Sequence, residues 1–172
     1  MIKFLALFFV LLGLVIIQVS FLPVWPLPVK ALNLVLTLLI FFTLILPYRQ
    51  ALGLAFSAGL MLELYSLSFF GLVTLSFLLT VELVYFLFKH FFTNRSLYAF
   101  VGLALAGSLS YNLIFYLGHF LFYFFGGPAG PQLFSPPYLF WQLGLNSLIF
   151  MIIFFVFQLT NRQFAGDTTF FK

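Results

Sequence analysis

The chain predicts an all-α, polytopic integral membrane protein with six transmembrane helices and both termini in the cytoplasm. Three observations carry that expectation. Of the 172 residues, 65% are hydrophobic and 6% charged, with a mean hydropathy of +1.23. A soluble domain covers its surface with about 25% charged residues, so water is excluded as the main solvent of this chain. The apolar runs are apolar on every face, whereas a spanning strand alternates, so the spans are helices. Six spans of about 20 residues would use about 120 and leave about 52 for connections and ends.

Taken in order, the first span covers residues 4–22, between Lys3 and the run Pro23-Val24-Trp25-Pro26-Leu27-Pro28. It is too long for a signal peptide and offers no small-x-small cleavage site, so it is read as retained. The second covers 31–46 and stops at Pro47-Tyr48-Arg49-Gln50; the third covers 51–67, with Ser68 to Gly71 as a tight outer turn. The fourth covers 72–88 and ends at Lys89-His90; the fifth covers 97–125, longer than the hydrocarbon is thick. Residues 126–138 are rich in Gly and Pro and read as the one substantial outer loop, before a sixth span over 139–159. All of this forms one membrane domain, and the 29 Phe residues read as lipid-facing bulk.

Charge sets the orientation. With the N-terminus inside, Lys3, Arg49, Lys89, Arg95, Arg162 and Lys172 fall on the inner side and only Lys30 on the outer. That asymmetry agrees with the positive-inside rule for an even number of spans. Trp25, Tyr138 and Trp141 fall at the outer interface, where amphipathic rings favour the headgroup level. The basic residues are scattered singly, so no nucleic-acid surface is expected.

Polar residues within apolar spans need a reason to be there, since a charged group there costs about 2.5–3.5 kcal/mol on insertion scales. Ala51, Ala55, Gly59 and Glu63 form a stripe along the third span, which marks a helix-packing face. The fifth span carries a similar stripe through Gly102, Ala106 and Ser110, making the third and fifth spans an expected contact pair. Counting at 1.5 Å per residue puts Gln18, Asn33, Glu63, Asn112 and Asn146 in one layer of the outer half, with His119 above it. Either these side chains make interhelical hydrogen bonds, or they line a polar cavity or partner-docking surface open to the outside. Glu82 lies on the inner side, seven residues before Lys89 and on the same face, where a snorkelling carboxylate would find that lysine.

Catalytic signatures are absent. There is no cysteine, no G-x-x-x-x-G-K-[ST], no H-E-x-x-H and no G-x-S-x-G. Ser110 and His119 are about 13 Å apart along one helix and cannot pair as nucleophile and base. The two histidines lie at unrelated depths, which argues against a metal site. No enzyme activity, cofactor or metal is expected.

Gly53-Leu54-Ala55-Phe56-Ser57-Ala58-Gly59-Leu60-Met61-Leu62-Glu63-Leu64, followed by Ser68-Phe69-Phe70-Gly71, resembles the rod shape-determining protein MreD family. The shared features are a Gly on this helix, a Gly-apolar-x-x-acid step through Gly59 and Glu63, and Gly71 opening the next span. The family's acid is usually Asp, and here it is Glu63. Asn146 looks like the asparagine often found in the family's last span. The resemblance implies a non-enzymatic part of the bacterial elongasome in the inner membrane. It would bind an MreC-like scaffold and act with RodA and its elongation-specific penicillin-binding protein. Indirectly it would couple the MreB filament to peptidoglycan synthesis. The resemblance further implies the fold of the substrate-capture subunits of energy-coupling-factor importers. A substrate-binding membrane subunit of a vitamin or small-molecule importer is therefore the alternative function.

Overall fold

The computed structural model describes residues 2–66, 69–91, 97–126 and 135–164. Among these there are six α-helices and no strand: α1 Ile2–Ser20, α2 Leu34–Ile45, α3 Tyr48–Glu63, α4 Leu72–His90, α5 Leu97–Phe124 and α6 Pro136–Phe164. Two short 3-10 turns, Leu22–Val24 and Val29–Ala31, fall in the Pro-rich connection between α1 and α2. The stretches Ala6–Val24, Leu72–His90, Ala99–Phe124 and Pro136–Leu159 are long and apolar enough to cross a membrane. The α2 helix is apolar but only 12 residues long, about 18 Å.

That short helix is the axis of the bundle. It packs against α1, α3, α4, α5 and α6, and its residues Val35, Leu36, Thr37, Leu39, Ile40, Phe41, Phe42 and Thr43 are buried on every side. A helix that is hydrophobic all round belongs in an interior, and this one is sheathed by the other five. Its two threonines turn their hydroxyls back onto their own helix: Thr37 Oγ1 donates to Asn33 O (2.9 Å) and Thr43 Oγ1 to Leu39 O (2.8 Å). They therefore add no unpaired polar group to the core. Around the axis lie Leu11, Leu54, Phe77, Val84, Leu103 and Phe150, all fully buried. The Phe-rich composition divides accordingly. Phe41, Phe42, Phe77 and Phe150 fill the interior, while Phe9, Phe56, Phe86 and Phe155 stand exposed.

Helix ends differ from expectation in ways that have local causes. α3 starts three residues early, directly after Pro47, and stops at Glu63 instead of running to 67. α6 starts at Pro136, inside the stretch expected to be loop, because proline at the first helical positions has no N–H to leave unsatisfied. Residues 127–134, Ser68, Arg95 and Lys172 lie outside the described residues.

The α3 stripe is buried as a set at Ala51, Ala55, Gly59 and Glu63. Its partner is not α5, however. Among the described helices, α3 packs on α1, α2 and α4. A Cβ built on Gly59 would stand 2.6 Å from Thr74 Cα, so this glycine is what lets the α3 and α4 backbones approach. The buried line of α5 also differs from the expected one. Leu103, Ala104, Gly107 and Ser108 are buried, with Gly107 set against Ile40 and Val84, while Gly102, Ala106 and Ser110 are half-exposed. Small residues lie on both sides of this helix, and the demand for contact with α2 and α4 selects between them.

The glycines differ sharply in what they allow. Gly59→Ala pushes a methyl into the α4 backbone and is expected to destabilise the protein by about 1–3 kcal/mol. Gly13 on α1 has open space at its Cβ, so Gly13→Ala is expected to be neutral or to stabilise by up to about 1 kcal/mol. Denaturant titration of the two purified variants in one detergent checks both signs.

Candidate functional site

The C-terminal ends of α1 and α3 meet the N-terminal ends of α2 and α4 at one end of the bundle, and two polar clusters lie there. The first is built on Glu63, the last residue of α3. Only 4% of its surface is exposed. Its carboxylate accepts from the Val73 N–H (3.1 Å), from the Thr74 N–H (3.2 Å) and from the Thr74 hydroxyl. Val73 and Thr74 occupy the second and third positions of α4, whose N-cap residue is Gly71 with φ +98° and no side chain to offer. Glu63 thus does from a neighbouring helix what an Asp or Ser N-cap does from within. With the Leu72 N–H donating to Phe69 O and the Leu75 N–H to Gly71 O, all four first donors of α4 are satisfied. A negative charge there also faces the positive end of the α4 dipole. Gly71 is needed for its left-handed backbone, which a side chain would strain.

The second cluster ties four helices together. Asn33 is the N-cap of α2, and its Oδ1 accepts from the Leu36 N–H (3.0 Å). Gln18 on α1 donates through Nε2 to Asn33 Oδ1 (3.0 Å) and accepts through Oε1 from the Val35 N–H (2.9 Å). Asn146 on α6, 1% exposed, accepts through Oδ1 from the Asn33 N–H (3.0 Å) and donates through Nδ2 to Ser108 Oγ on α5 (3.3 Å). Each donor at the start of α2 that bonds outside its own helix does so to a side chain from α1 or α6.

Of the residues expected in one polar layer, Gln18, Asn33 and Asn146 form a single hydrogen-bonded network. Glu63, at the end of α3, stands apart from it and bonds to the start of α4 and its own turn. Asn112 is buried but folds back on its own helix, Nδ2 donating to Ser108 O (2.7 Å). The Asn146 Nδ2 bond goes instead to Ser108, a residue the sequence does not single out, because serine is common inside apolar helices. His119 is buried against the rings of Phe115 (centroids 4.8 Å apart) and Phe69 (5.5 Å), with neither ring nitrogen bonded among the described residues. Near the opposite end, Glu82 does not pair with Lys89. It is exposed and accepts from the Tyr48 hydroxyl, whose ring packs on Tyr85 at 4.7 Å. The two residues lie two turns apart on one helix, about 10 Å, and the start of α3 brings Tyr48 nearer.

Beside the two clusters an open cleft of about 340 Å³ lies between α1, α5 and the α3–α4 connection. Gln18, Tyr65, Ser66, Tyr111 and Phe115 line it, with apolar side chains between them.

Removing either cap should cost stability. Glu63→Ala strands two buried N–H groups and should lose about 2–4 kcal/mol; Glu63→Gln keeps one good acceptor and should fall between it and the natural protein. Asn146→Leu leaves the Asn33 N–H unpaired and should lose about 1–3 kcal/mol. Unfolding of the purified variants in detergent, with amide exchange at residues 33–36 and 72–75, tests the order and the locality of these losses.

The family model described as rod shape-determining protein MreD matches residues 1–135. No curated protein and no solved structure matches the chain. The matched stretch contains Gln18, Asn33, Gly59, Glu63, Gly71, Ser108 and Asn112, whereas Asn146 lies beyond it. With 135 of 172 residues covered, and with helices of the length and apolarity that membranes require, the chain belongs to the rod shape-determining protein MreD family.

Proposed function

We propose that this protein is a non-enzymatic adaptor of the bacterial cell-elongation machinery, held in the cytoplasmic membrane by six spans with both termini inside. It binds an MreC-like scaffold through helix faces and the outer Gly/Pro-rich stretch. It acts with RodA and its penicillin-binding protein, and so links the MreB filament indirectly to peptidoglycan synthesis. Family membership supports a part in rod shape determination. α2 is short for a span, but in this scheme it is sheathed by protein and need not meet lipid along its whole length.

The observation that carries an adaptor over an importer subunit is how the buried polar groups are used. Glu63 accepts from three donors of α4, and Gln18 is engaged at both ends of its amide. Asn33 and Asn146 are likewise committed to helix starts and to each other. These groups hold the bundle together instead of converging on a guest. The residues between successive helices form short connections, the longest being 21–33, so the surfaces available to a partner within this chain are largely those of the helices. The cleft beside Gln18 favours the second possibility, a small ligand taken from the outer side, because its volume falls in the range of small-molecule sites.

Purification from native membranes separates the two. An adaptor should bring down a single-span, coiled-coil partner in stoichiometric amount, and its depletion should make rod cells round. A stoichiometric small ligand without such a partner, together with normal cell shape and a nutrient-uptake defect, would instead establish an importer subunit.

A further inference from the structure

α4 presents an unpartnered stripe opposite its contacts with α2, α3 and α5. Leu75, Leu79, Leu83 and Phe86 are exposed along it, and Glu82, also exposed, lies in the middle of that line. At 100° per residue these five positions fall within about a quarter to a third of the helix circumference. The carboxylate is therefore flanked by apolar side chains both above and below. Below it come six apolar or aromatic residues, Leu83 to Phe88, before Lys89.

An ionised carboxylate has about four acceptor positions, and Tyr48 supplies one donor. Among the described residues neither Arg49 nor Lys89 forms an ion pair with it. Acyl chains offer no donors at all, and ionisable residues in membrane spans almost always face a partner group. We propose that this stripe docks a membrane helix from another protein that carries a lysine or arginine at the depth of Glu82. Charge selects that occupant. In a parallel two-fold dimer of this chain, the same stripe would set Glu82 against Glu82, and the stripe's own cation, Lys89, stands about 10 Å further along. A foreign helix with one basic side chain supplies the missing donors and leaves its apolar residues to pack on Leu79, Leu83 and Phe86. The occupant is specified by its chemistry alone, so host peptides can test the site whatever the natural partner proves to be.

The full chain, reconstituted in phosphatidylcholine vesicles and carrying a donor fluorophore, is titrated with acceptor-labelled host helices of about 23 Leu and Ala residues. One peptide has a single Lys eight residues from its inner end, and the other has Leu there. The Lys peptide is expected to associate about three- to thirty-fold more tightly, the range that polar contacts between membrane helices span. Glu82→Gln should erase the difference while leaving circular dichroism and unfolding unchanged. Equal association of the two peptides, or a preference that survives Glu82→Gln, overturns the proposal. So does a preference that vanishes when phosphatidylethanolamine is added, which would assign the carboxylate to lipid headgroup ammonium.

Discussion

A helix that starts inside an apolar bundle brings backbone N–H groups to a place water does not reach, and every such donor needs an acceptor. Among the described residues, two helices begin that way. α4 takes its acceptors from Glu63 on α3, and α2 takes them from Gln18, Asn33 and Asn146. Most of the conspicuous polar residues at this end of the bundle are accounted for by that single requirement. The acid of the family-like sequence step, in this fold, caps the start of the following helix from outside, in place of a side chain on its N-cap Gly71.

Satisfying those donors permits the unusual position of α2. Surrounded by five helices, it could not begin where it does if its first N–H groups had to reach solvent. Once they are capped from α1 and α6, the rest of the helix is free to be uniformly apolar. Close approach does the remaining work. Gly59 admits the backbone of α4 and Gly107 admits Ile40 and Val84, and contact at that distance, rather than hydrophobic transfer, is what holds helices together in lipid.

Much of this was legible in the residues. Helix number and kind followed from apolar runs punctuated by Pro, Gly and charge, and the Ala51-Ala55-Gly59-Glu63 spacing marked a face that is indeed buried. What spacing could not assign was the partner of that face. A stripe of small residues announces close packing but carries no address, so the similar stripe on the fifth span pointed to α5 where α4 is the neighbour. Depth counting grouped Gln18, Asn33 and Asn146, which do bond to one another, yet it could not separate Asn112, which bonds within its own turn. Glu82 shows the same limit. Two turns along one helix suggested Lys89, whereas Tyr48 arrives from 34 residues away through the fold. Ser108 had no signal, because a serine that joins two helices reads the same as one bonding its own backbone.

The bond between Asn33 and Asn146 joins residues 113 positions apart. Since a chain emerges from the ribosome N-terminus first, the axial helix exists well before the asparagine that completes its cap. Until α6 arrives, the Asn33 N–H at the start of the axial helix has no side-chain acceptor, and the sheath around α2 lacks one of its five helices. Closure around the axis therefore waits on α6, and a chain cut before Asn146 leaves the start of α2 one acceptor short.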